Sequence, residues 1–300
     1  MIKILKTDLF RLFRSKAFYV YPIVLVFIMI IGMLFSAQTE TREETVGDGQ
    51  GEIQIKVNDP NADVKTANSD SKEETDKAET ENKYIFFGPT TIFESLSDGM
   101  LLMFLGIVLI IFSTGETRNG FVKNAVGCAV DRRFMPLSKM IIGVVIMAIY
   151  VVEHIMITFI FNLLEALITG KSLKYQPIPD GDGAKFFGYL FMCILVHLAI
   201  IAILSFIHEL TFSRALGIVL TVGLSTGLME QCAHGAVYLI NYFFHVLEGF
   251  NVGKYLLIEN ISKGYTADSY HPEILPFMAL IYLAIGALLA VKISQKKDIR

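Results

Sequence analysis

The stretch SKMIIGVVIMAIYVVEHIMITFIFNLLEALI, residues 138–168, decides how this chain must be read. Its charged side chains are Lys139, Glu153 and Glu165, and the rest is almost wholly apolar. A helix needs about 20 such residues to cross a hydrocarbon core of about 30 Å. This run exceeds that requirement, so it is expected to tilt or to project beyond the bilayer. Working outward, residues 17–37, 96–114, 186–207, 215–233 and 272–293 are also long and apolar. The whole chain of 300 residues is 53% hydrophobic and 18% charged, with a mean hydropathy of +0.54. A soluble domain of that length needs more polar surface. The fold expected is therefore an all-α membrane protein with six transmembrane helices, and no internal repeat is visible.

The segments between the apolar runs differ in kind. Residues 1–16 place Ile2, Leu5, Leu9, Leu12 and Phe13 at helical spacing, with Lys3, Lys6, Arg11 and Arg14 on the remaining surface. That pattern is an interfacial amphipathic helix, or at its plainest the basic flank of the first span. The first span could be mistaken for a signal peptide, but its apolar part outruns a signal h-region, so a retained anchor is expected. Residues 38–95 form an acidic loop outside the membrane, and 38–84 are too polar to fold firmly. A short strand is expected at 52–57, where EIQIKV alternates. Residues 237–247 are too short to cross and read as a re-entrant or interfacial helix before the last span.

Orientation follows from basic residues in the short flanks. Lys3, Lys6, Arg11, Arg14 and Lys16 precede the first span. Arg118, Lys123, Arg132, Arg133 and Lys139 surround the second-to-third connection, and Lys292, Lys296, Lys297 and Arg300 lie in the last span and the tail, residues 294–300. Six spans put all three groups on one side, so both termini are expected in the cytoplasm of a multi-pass cell-membrane protein. The net charge of −3 is uninformative because the charges are segregated. Tyr19, Tyr21, Tyr238, Tyr242 and Tyr282 are left as interfacial anchors in a chain without Trp.

Catalytic signatures are weak. Gly170-Lys171-Ser172 ends a phosphate-binding loop, but its earlier glycine position is Glu165. His208-Glu209 opens a zinc-binding HExxH pattern that fails at Phe212. Glu43-Glu44 sits in a polar loop, and no GxSxG nucleophile elbow is read. Cys128, Cys193 and Cys232 form no CxxC pair and read as packing residues, so neither a metal site nor a disulfide is expected.

Polar residues at membrane depth are the next candidates, because a charge there costs on the order of 3 kcal/mol and needs a partner. Glu153 and His154 lie midway along the third span and His197 midway along the fourth. Glu153 and His197 fall at similar depth and either pair or make separate contacts. Glu230 and His234 share a face near the outer end of the fifth span, in the interface or in a solvated vestibule. Gly217, Gly223, Ser225, Thr226 and Gly227 permit close approach of another helix, within the subunit or across a dimer.

The second-to-third connection, residues 115–137, carries a further pattern. It reads Gly115-Glu116-Thr117-Arg118-Asn119-Gly120-Phe121-Val122-Lys123-Asn124-Ala125, then Gly127, Asp131-Arg132-Arg133 and Leu137-Ser138-Lys139. The N-terminal helix ends Leu12-Phe13-Arg14-Ser15-Lys16. Together these segments resemble the permease subunits of type-2 ATP-binding-cassette (ABC) exporters. In that class a basic elbow helix precedes the first span, and a short coupling helix follows an acidic residue after the second.

The resemblance implies that residues 1–16 are the elbow helix and that about 115–127 are the coupling helix. It implies that Glu116, Gly120, Lys123, Asn124, Gly127, Arg132 and Arg133 contact a cytoplasmic ATPase subunit. The chain would then not be an enzyme by itself and would carry no cofactor, ATP being bound by the partner. It would act as a homodimer or with a second permease in the lipid bilayer, without nucleic acid. The cargo class implied is amphiphilic peptides, antimicrobials, lipids or glycans. The other reading of the same residues is a membrane scaffold or sensor that does not transport, with 38–84 as its exposed binding segment.

Overall fold

The computed structural model describes residues 2–46, 84–89, 96–97, 99–118, 134–178, 183–211, 213–245, 250–262 and 273–296. Among these, the side chains at 2–4, 35–46, 116–118 and 260–262 are not described. The expected strand at 52–57 lies outside these residues.

The chain is mostly helical. An N-terminal helix α1 (Ile2–Arg14) leads through a 3-10 turn (Lys16–Tyr19) into α2 (Val20–Val46). Strand β1 (Tyr84–Phe87) precedes α3 (Gly99–Arg118) and α4 (Phe134–Thr169). Strand β2 (Ser172–Tyr175) is followed by α5 (Gly183–Thr211), α6 (Arg214–Ser225) and α7 (Leu228–Phe244). A second 3-10 turn (Val252–Tyr255), the short α8 (Leu257–Ser262) and α9 (Leu275–Lys296) complete it. Pro22, Pro136 and Pro276 each lie in the first turn of their helix, where the missing N–H has no intrahelical acceptor to lose.

Among the described residues four helices are long and apolar enough to cross a membrane: Lys16–Leu34, Phe134–Thr169, Gly183–Thr211 and Leu275–Lys296. They are compatible with a membrane-embedded protein. A fifth is reached if α6 and α7 count as one broken span. Where the second span was expected lies a shorter apolar stretch, Gly99–Gly115, about 26 Å long at the α-helical rise.

The fifth segment departs from the sequence reading. A straight span over 215–233 followed by a separate short helix at 237–247 is not what forms. Instead the chain bends by 75° between α6 and α7. The physical reason is local: Gly227 adopts φ 72°, a left-handed conformation that ends α6 and re-aims the backbone. Helix α7 then runs on through residue 244 as one piece and contains no buried residue.

The core forms where α3, α4 and α5 meet. Leu101, Leu105, Leu109, Ile142, Ile146, Val196, Ile201 and Leu204 are buried there. Helix α5 packs most extensively against α9. A Cβ built on Gly286 of α9 would stand 2.9 Å from the Ala202 carbonyl carbon of α5, so only glycine permits that approach. Gly217 of α6 likewise faces Ile110 of α3, so this small residue serves packing inside the subunit. Outward, Ile23, Phe27, Phe191, Phe277, Leu280 and Leu288 are exposed. Apolar side chains that face away from the core on long helices suit contact with lipid.

Two loops distant in sequence meet in the structure. Strands β1 and β2 pair in parallel, with Tyr84 opposite Ser172 and Phe87 opposite Tyr175. Phe87 also packs edge-on against Phe159 of α4, with ring centroids 5.0 Å apart. The sequence reading did not foresee this ribbon, because four-residue strands carry too little periodicity to stand out.

Candidate functional site

At the end of the bundle away from the β-ribbon, α3 finishes and α4 begins. The connection between them, 119–133, lies outside the described residues, as do the candidates Gly120, Lys123, Asn124, Gly127, Arg132 and Arg133. Glu116 falls in the last turn of α3, and its side chain is not described. The structure does describe what surrounds the two ends of that connection: a set of polar side-chain links, two of them buried and the third, from the exposed Arg214, partly buried.

Three side-chain links compose it. Ser138, in the second turn of α4, donates a hydrogen bond to Asp8 Oδ2 of α1 at 2.5 Å. Lys139 Nζ meets Glu209 Oε1 near the end of α5 at 2.8 Å, with both side chains at most 5% exposed. Arg214 Nε of α6 donates to Thr114 Oγ1 of α3 at 3.1 Å. These links join α1 to α4, α4 to α5 and, separately, α6 to α3, between groups that lie far apart in the chain. A buried charge-assisted bond needs such geometry, because desolvation otherwise outweighs the Coulomb gain.

Helix α1 is held there by more than Asp8. Its apolar face buries Leu12 completely, and the Arg11 guanidinium lies over the Phe112 ring of α3, 5.6 Å from its centroid. The turn after it is pinned by Tyr150 of α4, whose hydroxyl donates to the Phe18 carbonyl at 2.9 Å. Tyr150 also stacks on Phe18 and lies 4.5 Å from the Tyr21 ring. Residues 2–14 are therefore a docked helix, which accords with the amphipathic pattern read from the sequence.

The intramembrane candidates are placed separately. His154 Nδ1 shares a hydrogen bond with the Tyr21 hydroxyl at 2.8 Å, joining α4 to α2. His197 is wholly buried, and its Nδ1 lies 2.8 Å from the Cys193 carbonyl one turn back. Its Nε2 has no hydrogen-bond partner, and neither does Glu153 Oε2. No hydrogen bond or ion pair joins Glu153 to His197 among the described residues. His197 bonds within its own helix and Glu153 Oε2 is left unpartnered, so the two are not brought together as a bonded pair.

Glu230 and His234 do share a face, and the structure supplies a partner that the sequence did not suggest. Glu230 Oε1 accepts from the Glu259 amide at 2.6 Å. His234 Nε2 lies 2.7 Å from Glu259 Oε2. This cluster fastens α7 to α8 just beyond the 75° bend. Glu259 was missed because it lies 29 residues beyond Glu230, past the rest of α7 and a turn, and nothing in its neighbours marks it.

One motif reading needs correction. Gly223-Leu224-Ser225-Thr226-Gly227 does match the letters G-x-S-x-G. A nucleophile elbow joins a strand to a helix, whereas these residues join α6 to α7. Ser225 Oγ donates to the Val222 carbonyl at 3.0 Å, as a helix-end hydroxyl does.

No protein-family model matches the chain, and neither a curated protein nor a solved structure matches it.

Proposed function

We propose that this chain is the permease subunit of an ATP-driven ABC exporter, spanning the cell membrane six times with both termini in the cytoplasm. Gly99–Gly115 would be its short second span and the bent pair α6–α7 its fifth. The observation that supports this reading best is the bond from Asp8 of α1 to Ser138 of α4. It fastens the N-terminal helix to the helix that emerges from residues 115–137. Force delivered to that connection by a soluble ATPase would reach α1 and α4 together. The buried Lys139–Glu209 pair would carry it on to α5. A chain without a phosphate-binding loop needs such a partner to use ATP.

In this mechanism two copies, or this chain and a second permease, hold two ATPase subunits. Closure of the ATPases on ATP moves α1 and the coupling segment as a unit and drives an amphiphilic cargo outward between the permeases. Glu116, Lys123, Arg132 and Arg133 set the register of docking more than its affinity.

The test is reconstitution of the full chain in lipid with a candidate phosphate-loop ATPase, such as one encoded by an adjacent gene. Co-purification and a change in ATP hydrolysis on adding this subunit are expected. Replacing Glu116 and Arg132 with Ala should abolish that change while membrane insertion stays normal. If no ATPase co-purifies and hydrolysis is unaffected by the intact chain, the proposal is wrong.

A further inference from the structure

A cavity of about 130 Å³ lies beside the bend between α6 and α7. Its walls come from four helices and the segment that opens α8: Ile200 and Ile203 of α5, Leu224 of α6, Met229 of α7 and Tyr282 of α9 are apolar or aromatic. A single acidic side chain, Glu230, lines it. That carboxylate is not loose. Its Oε1 is held by the Glu259 amide at 2.6 Å, and Glu259 is in turn bonded to His234 at 2.7 Å. The described cluster contains two carboxylates and one imidazole.

We propose that this cavity is a ligand site within one subunit, and that it takes a primary ammonium group borne on a small apolar body. The size argument is direct, since an apolar cavity of about 150 Å³ accommodates benzene. A ring or a short alkyl chain of that bulk fills the space between Ile203, Leu224 and Met229. The charge argument selects its head group. A fixed carboxylate at the wall of an apolar space accepts hydrogen bonds from a cation and repels an anion. Tyr282 offers an aromatic wall of the kind that attracts ammonium groups. An aliphatic amine or the amino-terminal apolar residue of a peptide has this chemistry. The inference goes beyond the exporter reading and does not require it, because binding is a property of the single chain.

The probe is para-fluorobenzylammonium, followed by fluorine NMR on the full chain in nanodiscs of zwitterionic lipid. Saturable binding is expected, with clear preference over the neutral para-fluorotoluene and no binding of para-fluorobenzoate. Glu230→Gln should weaken the ammonium about tenfold and erase its preference, since one charge-assisted bond is lost. Ile203→Phe should fill the cavity and abolish binding. If that variant fails to fold, Met229→Phe fills the same space from α7. The proposal is overturned if the signal never saturates, if the filled variants bind as the parent does, or if the neutral isostere binds as tightly as the ammonium.

Discussion

Replacing Glu209 with leucine leaves the Lys139 ammonium without the carboxylate that meets it at 2.8 Å. The lysine side chain is only 3% exposed, so water cannot take the place of the lost partner. At an effective dielectric constant of about 20, two unit charges at this separation attract by about 6 kcal/mol, much of it offset by desolvation. Removing one member of such a buried pair costs about 3–5 kcal/mol, most of which is the uncompensated charge left behind. For a chain of this size that lowers the melting temperature on the order of 10 °C. Glu209→Gln should cost less, because its amide oxygen still accepts from Lys139. The double variant Lys139→Met, Glu209→Leu should recover most of the loss, since neither charge then remains in the apolar interior. The assay is built into the sequence. The chain has no Trp, but Cys193 is buried, so a thiol-reactive dye reports unfolding once Cys128 and Cys232 are replaced by Ser. The reasoning is refuted if Glu209→Leu shifts the melting temperature by less than about 2 °C, or if the double variant is as unstable as the two single losses added together.

Three further outcomes follow from the same contacts. Asp8→Ala should free α1 from Ser138, leaving insertion intact but exposing residues near Arg14 to limited proteolysis; a digestion pattern identical to the parent's would contradict the docked position. Tyr21→Phe should cost about 1 kcal/mol through loss of the bond to His154, read in the dye assay, and no change would mean that the bond is without consequence. Gly286→Ala should destabilise by about 1–3 kcal/mol because backbone atoms of α5 must move, whereas Gly217→Ala meets only the Ile110 side chain and should cost less. Equal losses at the two glycines would show that the α5–α9 approach is not tight.

The parts of the fold that the sequence displayed are those that depend on neighbours along the chain. Residues 138–168 had to be a long helix, because nothing but a helix satisfies so many backbone groups in an apolar stretch. The same holds for the cores of α2, α5 and α9, and the amphipathic spacing of residues 2–14 announced α1. The bend at Thr226–Gly227 was less legible, because glycine at a helix boundary and glycine at a helix crossing look alike in sequence. Gly217 proved to be a crossing and Gly227 a boundary.

What tertiary structure alone decided is which polar side chains meet. Lys139 and Glu209 are 70 residues apart, Asp8 and Ser138 are 130 apart, and Glu230 and Glu259 are 29 apart. Hydropathy shows which stretches form long apolar helices, but it carries no information about the rotation of such a helix about its own axis. Glu153 and His197, matched in depth by sequence, were left unbonded to each other for that reason. Lys139, read as a topology signal on the flank of a span, became a buried partner of Glu209. The sequence thus determined that this is a chain of long apolar helices. Their mutual rotation determined where its few buried charges could be satisfied.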